Sequence, residues 1–298
     1  MKIGIDLGGH TLTAALVLPG ENGRRPSVER LLEEKTPKSR KAADVIAVMT
    51  NLIEKLSDGS EADGIGVAVP GMLDAERRRP LTMPNFPKEW ENLEFPDVLE
   101  GVLAKKNIKL PVRIENDANC YAIGEGVAGE AVGLSDYVVF TMGTGIGCGI
   151  VTGGRLLTGA HGMAAESGHA IVDGSAPCGC GGIGHAETLA ATDGTIKRAR
   201  AEGFSGDFRE LWAMRGVPFA DRVLALTIDG MARTVATVCH ILDPEAIIIG
   251  GGMSRAPGIG DAVREAATPY LARPYRSVLD IRISTLDIDA ALFGAAGI

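Results

Sequence analysis

Three glycine clusters in the sequence each follow an apolar stretch that has the pattern of a strand. They are Asp6-Leu7-Gly8-Gly9-His10, Gly143-Thr144-Gly145-Ile146-Gly147 and Gly250-Gly251-Gly252. A loop without Cβ atoms lets backbone N–H groups approach an anion closely, so these clusters predict binding of nucleotide phosphates. Asp6 adds a carboxylate suited to Mg²⁺ or to its water ligands. Because two of the clusters join strand to strand, they favour phosphate-binding hairpins over simple tight turns.

The two common phosphate-binding motifs are absent from the sequence. Gly143-x-Gly145-x-x-Cys148 has no third glycine and continues into an apolar strand, where a dinucleotide-binding turn would enter a helix. No Walker motif, G-x-x-x-x-G-K-[ST], is present either. Phosphate binding by hairpins without these motifs indicates the architecture of the actin-like ATPases and sugar kinases.

Four candidate metal ligands fall within seventeen residues. His169, Cys178, Cys180 and His185 form the pattern H-x8-C-x-C-x4-H. Four nitrogen and sulfur ligands in a short loop suit tetrahedral structural Zn²⁺, which would order the glycine-rich segment from Asp173 to Gly184. The alternative is two buried thiols and two unrelated histidines.

Phosphoryl transfer to an alcohol also needs a carboxylate that accepts the hydroxyl proton. A short strand after Pro111 leads into a helix at Glu115-Asn116-Asp117, which places Asp117 at a strand-to-helix junction. The helix N-terminus is expected to hold the carboxylate rigid and ionised, with a pKa near its usual value. The alternative for this residue alone is a helix N-cap.

The elements that must position these residues alternate between strands and helices, and their order repeats. Strand, glycine turn and strand at residues 2–7, 8–10 and 12–18 recur at 136–142, 143–145 and 146–152. The other predicted elements are a strand at 28–36, a helix from an N-cap at Ser39 to Gly59, strands at 64–69, 112–115, 246–249 and 278–284, and helices from Asn116, in 187–203, in 218–241, near 258–271 and from Asp289. This pattern predicts an α/β protein with two similar lobes and a cleft between them.

The composition excludes several classes of protein. Of 298 residues 40 are glycine, about 13% where roughly 7% is usual, and the net charge is 30 − 38 = −8. The apolar share of 45% is ample for a core, and the glycines follow no collagen period. The one basic run, Arg77-Arg78-Arg79, is best explained as a solvated turn, so no nucleic-acid partner is expected. Five cysteines and no apolar stretch of membrane length predict a soluble cytoplasmic protein.

The ordered set of motifs resembles the ROK family (repressors, open reading frames, kinases) of actin-like ATPases along nearly the whole chain. The matching segments are Asp6 to Gly9, Gly66 to Gly71, Pro84 to Phe86, Glu115 to Asn119, Gly145 to Ile150, Gly159, Glu166 to His169, Cys178-x-Cys180-Gly181 and Gly250 to Gly252. Repressors of the family carry an additional N-terminal helix-turn-helix domain, whereas here the first hairpin begins at Met1. The resemblance therefore implies the kinase branch.

The resemblance implies a two-lobed, ribonuclease H-like α/β fold with nucleotide and sugar in the interlobe cleft. The N-terminal lobe would comprise residues 1–118 and 286–298, the latter with a returning helix from Asp289 to Ala296. Residues 119–285 would form the C-terminal lobe, with the zinc loop and oligomerisation helices. Family kinases transfer the γ-phosphate of ATP, with Mg²⁺, to a sugar hydroxyl, typically the 6-hydroxyl of a hexose.

Site roles follow from the same resemblance, residue by residue. Asp117 would be the catalytic base. The implied sugar ligands are Asn116, Asp117, Glu166, His169 and Glu187, with Asn85 and Gly71 lining the same pocket. The implied ATP-binding residues are Asp6, Gly8, Gly9, His10, Thr11, Gly143, Thr144, Gly145, Gly147, Gly250, Gly251 and Gly252. The family's first loop commonly continues with Thr and Lys where this chain has His10 and Thr11, so which of the two contacts phosphate stays open.

The metal loop also departs from the family pattern. The family's four zinc ligands include a third cysteine at the position of His185. Histidine is still a competent ligand, but its longer side chain is expected to shift the loop or the metal. One ring nitrogen of His169 could bind zinc while the other reaches the sugar.

Several substrates and two other functions remain open at this point. The segments Thr158 to Gly162 and Tyr270 to Pro274 resemble the glucose and allose kinase branches, which predicts an unsubstituted hexose, glucose or a close epimer such as allose. N-acetylglucosamine, N-acetylmannosamine and fructose are alternatives. A non-catalytic sugar-sensing regulator would not need Asp117 or the glycine loops, and an actin-like polymer or chaperone ATPase would not need the sugar-type residues. The resemblance also implies a homo-oligomer, in the first place a dimer.

Overall fold

The structure is a computed structural model that describes residues 1–20 and 24–298. These residues form two compact units. Unit 1 comprises Met1–Gly133, Leu156–Ala164 and Ile288–Ile298, and unit 2 comprises Leu134–Arg155 and Ala165–Asp287. Two five-stranded mixed sheets with helices give the α/β class that the alternation of elements predicted.

The sheet of unit 1 has the strand order β3-β2-β1-β4-β5. Its strands are β1 (Lys2–Leu7), β2 (Thr11–Leu18), β3 (Ser27–Lys35), β4 (Ile65–Val69) and β5 (Val112–Asn116). Strand β2 runs antiparallel to β1 and β3, whereas β1, β4 and β5 are parallel to one another. The carboxyl ends of β1, β4 and β5 therefore meet at one edge of the sheet.

Helices cover both faces of this sheet. They are α1 (Ala42–Ser57), α2 (Phe95–Ala104), α3 (Asp117–Ala128) and, at the end of the chain, α9 (Ile288–Gly297). Ile3 and Ile5 of β1 are buried in a core that includes residues of α1 and α2. On the other face α9 approaches the strands closely, because a Cβ on Gly4 or Gly66 would overlap backbone oxygens of α9. Some of the excess glycine therefore serves helix packing rather than ligand binding.

The predicted N-cap of α1 is wrong. The helix begins at Ala42 after Lys41, and the N–H of Ala42 donates to Glu89 Oε1 at 2.7 Å. The hydroxyl of Ser39 instead accepts from the N–H of Lys41 and donates to Asp44. A carboxylate 47 residues further along the chain thus satisfies a helix N-terminal donor for which a local serine was expected.

Unit 2 repeats the topology of unit 1, with the strand order β10-β9-β6-β7-β8. Its strands are β6 (Tyr137–Met142), β7 (Ile146–Thr152), β8 (Arg155–Leu156), β9 (Ala246–Gly250) and β10 (Ile281–Ile283). Strand β7 is antiparallel to β6, while β9 is parallel to both β6 and β10. The duplication predicted from the repeated strand, glycine turn and strand is therefore present.

The helices of unit 2 differ in detail from the prediction. They are α4 (Ala186–Ala190), α5 (Thr192–Ala201), α6 (Phe208–Ala213), α7 (Pro218–Leu242) and α8 (Ile259–Ala267). The helix predicted in 187–203 is two helices, and α6 was not predicted. Helix α8 is followed by a 3₁₀ turn at Thr268–Tyr270, because Pro269 has no N–H to continue an α-helix. Within the described residues, no helix combines the length and apolar character needed to cross a membrane.

The limits of the units differ from the predicted lobe limits. A boundary after residue 118 would cut α3, which packs along its length against α9: a Cβ on Gly294 would overlap the backbone of Cys120. Residues 119–133 consequently belong to unit 1. So does the segment Leu156–Ala164, whose Gly162 is bound by Arg77.

Candidate active site and metal cluster

Two carboxylates lie at the carboxyl edge of the parallel strands of unit 1. Asp6 is near the end of β1, and Asp117, the first residue of α3, follows β5. Burial raises the pKa of Asp6 to about 7, with a further contribution from the negative charge of Asp117. Burial also raises the pKa of Asp117 to about 6, although hydrogen bonds from backbone N–H groups and from Asn116 oppose the shift.

The raised pKa of Asp117 corrects the expectation of an ordinary value. The helix N-terminus does donate to the carboxylate, from the N–H of Ala118 to Oδ1 at 2.8 Å. Removal from water outweighs this stabilisation of the ionised form. A carboxylate with a pKa near 6 is still ionised at neutral pH, and it is a better proton acceptor than an aspartate in water.

Three of the predicted sugar-site residues of unit 1 are brought together by hydrogen bonds. Asn116 Nδ2 donates to the Gly71 carbonyl at 2.9 Å and to Asp117 Oδ1 at 3.1 Å. Asn116 Oδ1 accepts from the N–H of Asn119, so Asn116, and not Asp117, is the N-cap of α3. These bonds fix the side-chain amide beside the carboxylate.

Gly71 and Asn85 belong to the adjoining loop. Gly71 has a φ of +98°, and a Cβ there would lie 2.9 Å from Pro84 Cδ, so only glycine leaves room for this segment. Asn85 directly follows Pro84, is exposed, and accepts a hydrogen bond from Arg40 at its carbonyl. Its predicted role in sugar binding stays a prediction.

The first glycine hairpin is held by a residue that the sequence did not single out. Gly8 N–H donates to the Thr11 carbonyl at 3.0 Å, closing the turn between β1 and β2. Thr36, just after β3, donates its hydroxyl to the Gly8 carbonyl at 2.7 Å and its N–H to the His10 carbonyl at 3.0 Å. A threonine after a strand carries no sequence signal for this task. His10 is exposed and Thr11 partly so, which leaves both available to a ligand.

The two glycine clusters of unit 2 lie side by side. Thr141 of β6 pairs with Gly250 of β9, so the loops 143–147 and 250–252 leave the same edge of the sheet. Gly251 has a φ of +81°, and a Cβ there would lie 2.6 Å from the Met142 carbonyl oxygen. The N–H of Gly143 donates to the Gly145 carbonyl at 3.0 Å. Neighbouring loops of this kind can present several N–H groups to one anion.

The predicted sugar ligands of unit 2 also converge. His169 Nε2 is 3.8 Å from Glu166 Oε2, and His169 Nδ1 is 3.7 Å from Glu187 Oε1. All three side chains are partly buried. Glu187 also adjoins the phosphate-type hairpin, since a Cβ on Gly145 would lie 3.1 Å from Glu187 Oε2. Two carboxylates and an imidazole in this arrangement can accept from and donate to neighbouring hydroxyls of a polyol.

The four predicted metal ligands form one cluster. A ligand atom from each of His169, Cys178, Cys180 and His185 lies within 4.8 Å of those of the others. His185 Nδ1 is 3.2 Å from both His169 Nδ1 and Cys180 Sγ. Zinc bonds of about 2.0 to 2.3 Å separate tetrahedral ligands by about 3.3 to 3.8 Å, so the two 3.2 Å distances and the nitrogen and sulfur donors are compatible with Zn²⁺.

Glycine accommodates the imidazole of His185 in this cluster. A Cβ on Gly182 would lie 2.8 Å from His185 Nε2, and nearer still to Cε1, so the imidazole occupies space that any other residue would fill. Cys178 Sγ donates to Glu187 Oε1 at 2.7 Å, which joins the cluster to a predicted sugar ligand. Burial raises the pKa of the Cys178 thiol to about 12.

Comparison with known proteins shows to which family the chain is similar. The sequence model of the ROK family matches residues 2–298. The chain is 36% identical over 316 residues to the glucokinase of Thermotoga maritima, covering 99% of this chain and 96% of that protein. It is 30% identical over 298 residues to the N-acetylmannosamine kinase of Escherichia coli, covering 99% and 96%.

A solved structure also supports membership of this family. The crystal structure of a ROK family glucokinase from Streptomyces griseus in complex with glucose and AMPPNP matches with a TM-score of 0.83 at 28% identity, over 99% of this chain and 98% of that one. The two sheets are thus those of the actin-like ATPase fold found in sugar kinases. The chain belongs to the ROK family.

Proposed function

We propose that this protein is an ATP-dependent kinase that phosphorylates the 6-hydroxyl of a hexose, in the first place glucose or a close epimer such as allose. The observation that carries the proposal is Asp117, a partly buried carboxylate with a pKa raised to about 6 beside the oriented amide of Asn116. The likeness to a glucokinase over nearly the whole chain supports the same activity.

In the proposed reaction the sugar oxygen forms a bond to the γ-phosphorus, and the bond from that phosphorus to the bridging oxygen of ADP breaks. The proton of the hydroxyl passes to Asp117. Asn116, held on Gly71, orients both the carboxylate and the sugar. Because proton acceptance is needed only as the alcohol is attacked, Asp117 contributes chiefly to kcat.

We propose that ATP phosphates bind to the backbone of the glycine loops at 8–11, 143–147 and 250–252. Mg²⁺, when bound, neutralises charge that develops on the phosphates. Asp6 is the carboxylate of unit 1 that would hold the ion or its water ligands, and a cation there would oppose the burial that raises its pKa. His10 and Thr11 are both retained as candidate phosphate contacts.

Glu166, His169 and Glu187 are the proposed sugar ligands from unit 2. We also propose that His169, Cys178, Cys180 and His185 hold a structural Zn²⁺, since their ligand atoms are already gathered. His169 directs Nδ1 to this cluster and Nε2 towards Glu166. A metal on Nδ1 would fix the ring and therefore the orientation of Nε2.

The test is a panel of sugars assayed for ATP-dependent phosphorylation. Glucose, allose, mannose, fructose, N-acetylglucosamine and N-acetylmannosamine would be compared by kcat/KM, with the position of the phosphate determined by NMR. The highest kcat/KM is expected for glucose or allose, at the 6-hydroxyl. The N-acetylmannosamine kinase relative favours N-acetylhexosamines as the second candidate. Absence of turnover with every sugar would favour a non-catalytic sugar-sensing regulator.

We propose a cytoplasmic location on the cysteine usage of the chain, and a homodimer on the family resemblance. Sedimentation equilibrium with and without sugar would measure the assembly directly. A monomer at all concentrations would contradict the dimer and would leave the kinase proposal intact.

A further inference from the structure

The three consecutive arginines of unit 1 have different environments, which corrects the expectation of a solvated turn. Arg79 is exposed and Arg78 is partly exposed; both pair with Glu94 on the surface, and Arg78 also pairs with Asp97. Arg77 has a side chain only 16% exposed, and its Nε donates at 2.8 Å to Glu115, whose side chain is 7% exposed. Removing an ion pair from water costs free energy, which only good geometry and further hydrogen bonds offset. The burial of Arg77 therefore calls for an explanation that its two neighbours do not.

The guanidinium of Arg77 binds two further backbone groups. Its Nη1 donates to the Asp74 carbonyl at 3.0 Å and to the Gly162 carbonyl at 2.8 Å. A Cβ on Gly162 would lie 2.6 Å from Nη1, so glycine is what allows the carbonyl to reach the guanidinium. Arg77 therefore attaches the segment Leu156–Ala164 to the loop around Asp74.

The turn that carries Arg77 is itself well held. Asp74 Oδ1 accepts from the N–H groups of Arg78 and Arg79 at 2.7 and 3.0 Å. Arg77 has a φ of +56°, a conformation that a non-glycine residue adopts at a cost and keeps only where its surroundings hold it. The backbone is thus constrained to direct this one arginine inward.

The far side of Glu115 leads to the predicted catalytic residue. Glu115 Oε1 accepts from the N–H of Asn116 at 2.8 Å and from Asn119 Nδ2 at 2.9 Å. Asn116 in turn donates to Asp117. One carboxylate therefore connects Arg77 to the first turn of α3, where Asn116 and Asp117 lie.

We propose that Arg77 is a positioning residue for the sugar-phosphorylating site, an inference that rests on the proposed function. Through Glu115 it holds Asn116 and Asp117, and through Gly162 it holds the segment that ends two residues before Glu166. The planar guanidinium reaches three acceptors at once, which the single ammonium of lysine cannot reproduce. Arg77 itself touches no predicted ligand of the sugar.

The experiment compares Arg77→Met and Arg77→Lys with Arg79→Met. Arg79→Met is the matched control, because it removes the same charge two residues away from an exposed pair with Glu94. Hydrogen exchange would be followed in peptides covering 115–120 and 156–164, together with kcat and KM for sugar and KM for ATP.

Arg77→Met is expected to speed exchange in both segments and to lower kcat/KM for the sugar roughly 10- to 100-fold, with KM for ATP within about twofold. Arg77→Lys is expected to recover part of the loss, and Arg79→Met to match the wild type. Unchanged exchange in both segments, or an equal effect of Arg79→Met, would overturn the proposal.

Two further variants separate positioning from stability. In Arg77→Met/Glu115→Gln the unpaired buried charge is gone, so full recovery of kcat/KM would mean that Arg77 only neutralises Glu115. In an Asp117→Asn background, Arg77→Met is expected to have little further effect on kcat, because Arg77 acts through the residue that is already lost.

If Arg77→Met does not fold, the same comparisons are made with Arg77→Lys. If the wild type phosphorylates no sugar, the proposed function fails, and the exchange data alone decide whether Arg77 holds the two segments.

Discussion

The two units share one strand order and one pattern of pairing, yet they place different chemistry at the same edge of the sheet. In β1 the penultimate residue is Asp6, and in β6 the corresponding penultimate residue is Thr141. Unit 1 thus carries a carboxylate at this position, where unit 2 carries a neutral hydroxyl. The shared topology decides where functional groups gather, at the carboxyl ends of parallel strands, and the local residues decide what these groups are.

The difference extends to what surrounds each edge. In unit 1, α9 packs closely on Gly4 and Gly66. Burial in this unit raises the pKa values of both Asp6 and Asp117. In unit 2 the glycine loops adjoin a loop of cysteines and histidines, connected by Glu187. Both units are expected to contribute phosphate loops and sugar ligands, whereas the proton acceptor is expected from unit 1 alone and the metal cluster from unit 2 alone.

The largest effect is expected from the carboxylate of unit 1. Asp117→Asn should lower kcat by about 10²- to 10⁴-fold while sugar binding, measured by calorimetry, changes little, because the amide keeps the shape and loses the basicity. Asp261→Asn is the matched control: Asp261 lies in the first turn of α8 with its side chain 75% exposed. Near-normal kcat in Asp117→Asn would remove the assignment of proton chemistry to unit 1.

The metal cluster should give the next largest effect, confined to unit 2. Cys180→Ser, at an exposed thiol, should abolish zinc in metal analysis of protein purified without added metal. Sugar affinity should fall roughly 10- to 100-fold, since His169 loses its fixed orientation. Hydrogen exchange in β1 and α1 should stay unchanged.

Cys239→Ala, a free thiol on α7 outside the cluster, is the control for that experiment. Absence of zinc in the wild type, with full activity after chelation, would contradict the metal assignment and leave only the hydrogen-bonded cluster.

The pH dependence of turnover should reveal the raised pKa of Asp117. Its ionised form is the proton acceptor, so kcat/KM should be level above about pH 7, fall to half near pH 6, and approach a tenfold decrease per pH unit only below about pH 5. Initial rates from pH 5 to 8.5 at constant ionic strength would measure this limb, with recovery of activity at pH 7.5 as the control for denaturation. A level kcat/KM down to pH 5 would mean that Asp117 behaves as an ordinary exposed aspartate, with a pKa near 3.8.

The smallest effect is expected on stability, through Asp6. Its pKa is raised from 3.8 to about 7, so its neutral form favours folding below pH 3.8, and that contribution is lost as the pH rises through 7. Asp6→Asn cannot ionise and should be more stable than the wild type at pH 8 without Mg²⁺, by about 1 to 2 kcal/mol once partial solvent access is allowed for.

That difference corresponds to a rise of roughly 2 to 4 °C in Tm per kcal/mol. Thermal unfolding at pH 5 and pH 8 would measure it, with Asp261→Asn as the exposed control. A lower Tm for Asp6→Asn at pH 8 would show that the ionised carboxylate stabilises unit 1.

Features with local signals were predictable. The strand, glycine turn and strand of each unit, and the Cys/His pattern whose ligand atoms do converge, depend on residues close together in the chain. The N-terminal partner of α1 was not predictable from local residues, because Glu89 accepts the hydrogen bond from the N–H of Ala42 that Ser39 was expected to accept. The division of 187–203 into α4 and α5 was likewise not predictable, because no proline or other strong helix-terminating residue lies between the two helices.

The sequence by itself determined the order of elements, their duplication, and which side chains could act as bases, ligands and phosphate loops. Only the tertiary structure decided that Asp6 and Asp117 have raised pKa values, because burial and neighbouring charge depend on how strands and helices pack. It alone showed that Arg77 is buried while Arg79 is exposed, because the partners of Arg77 are distant in the sequence. Glu115 is 38 residues and Gly162 is 85 residues from Arg77 along the chain. Residue type sets what a group can do, and the partners brought to it by folding set its protonation and its position.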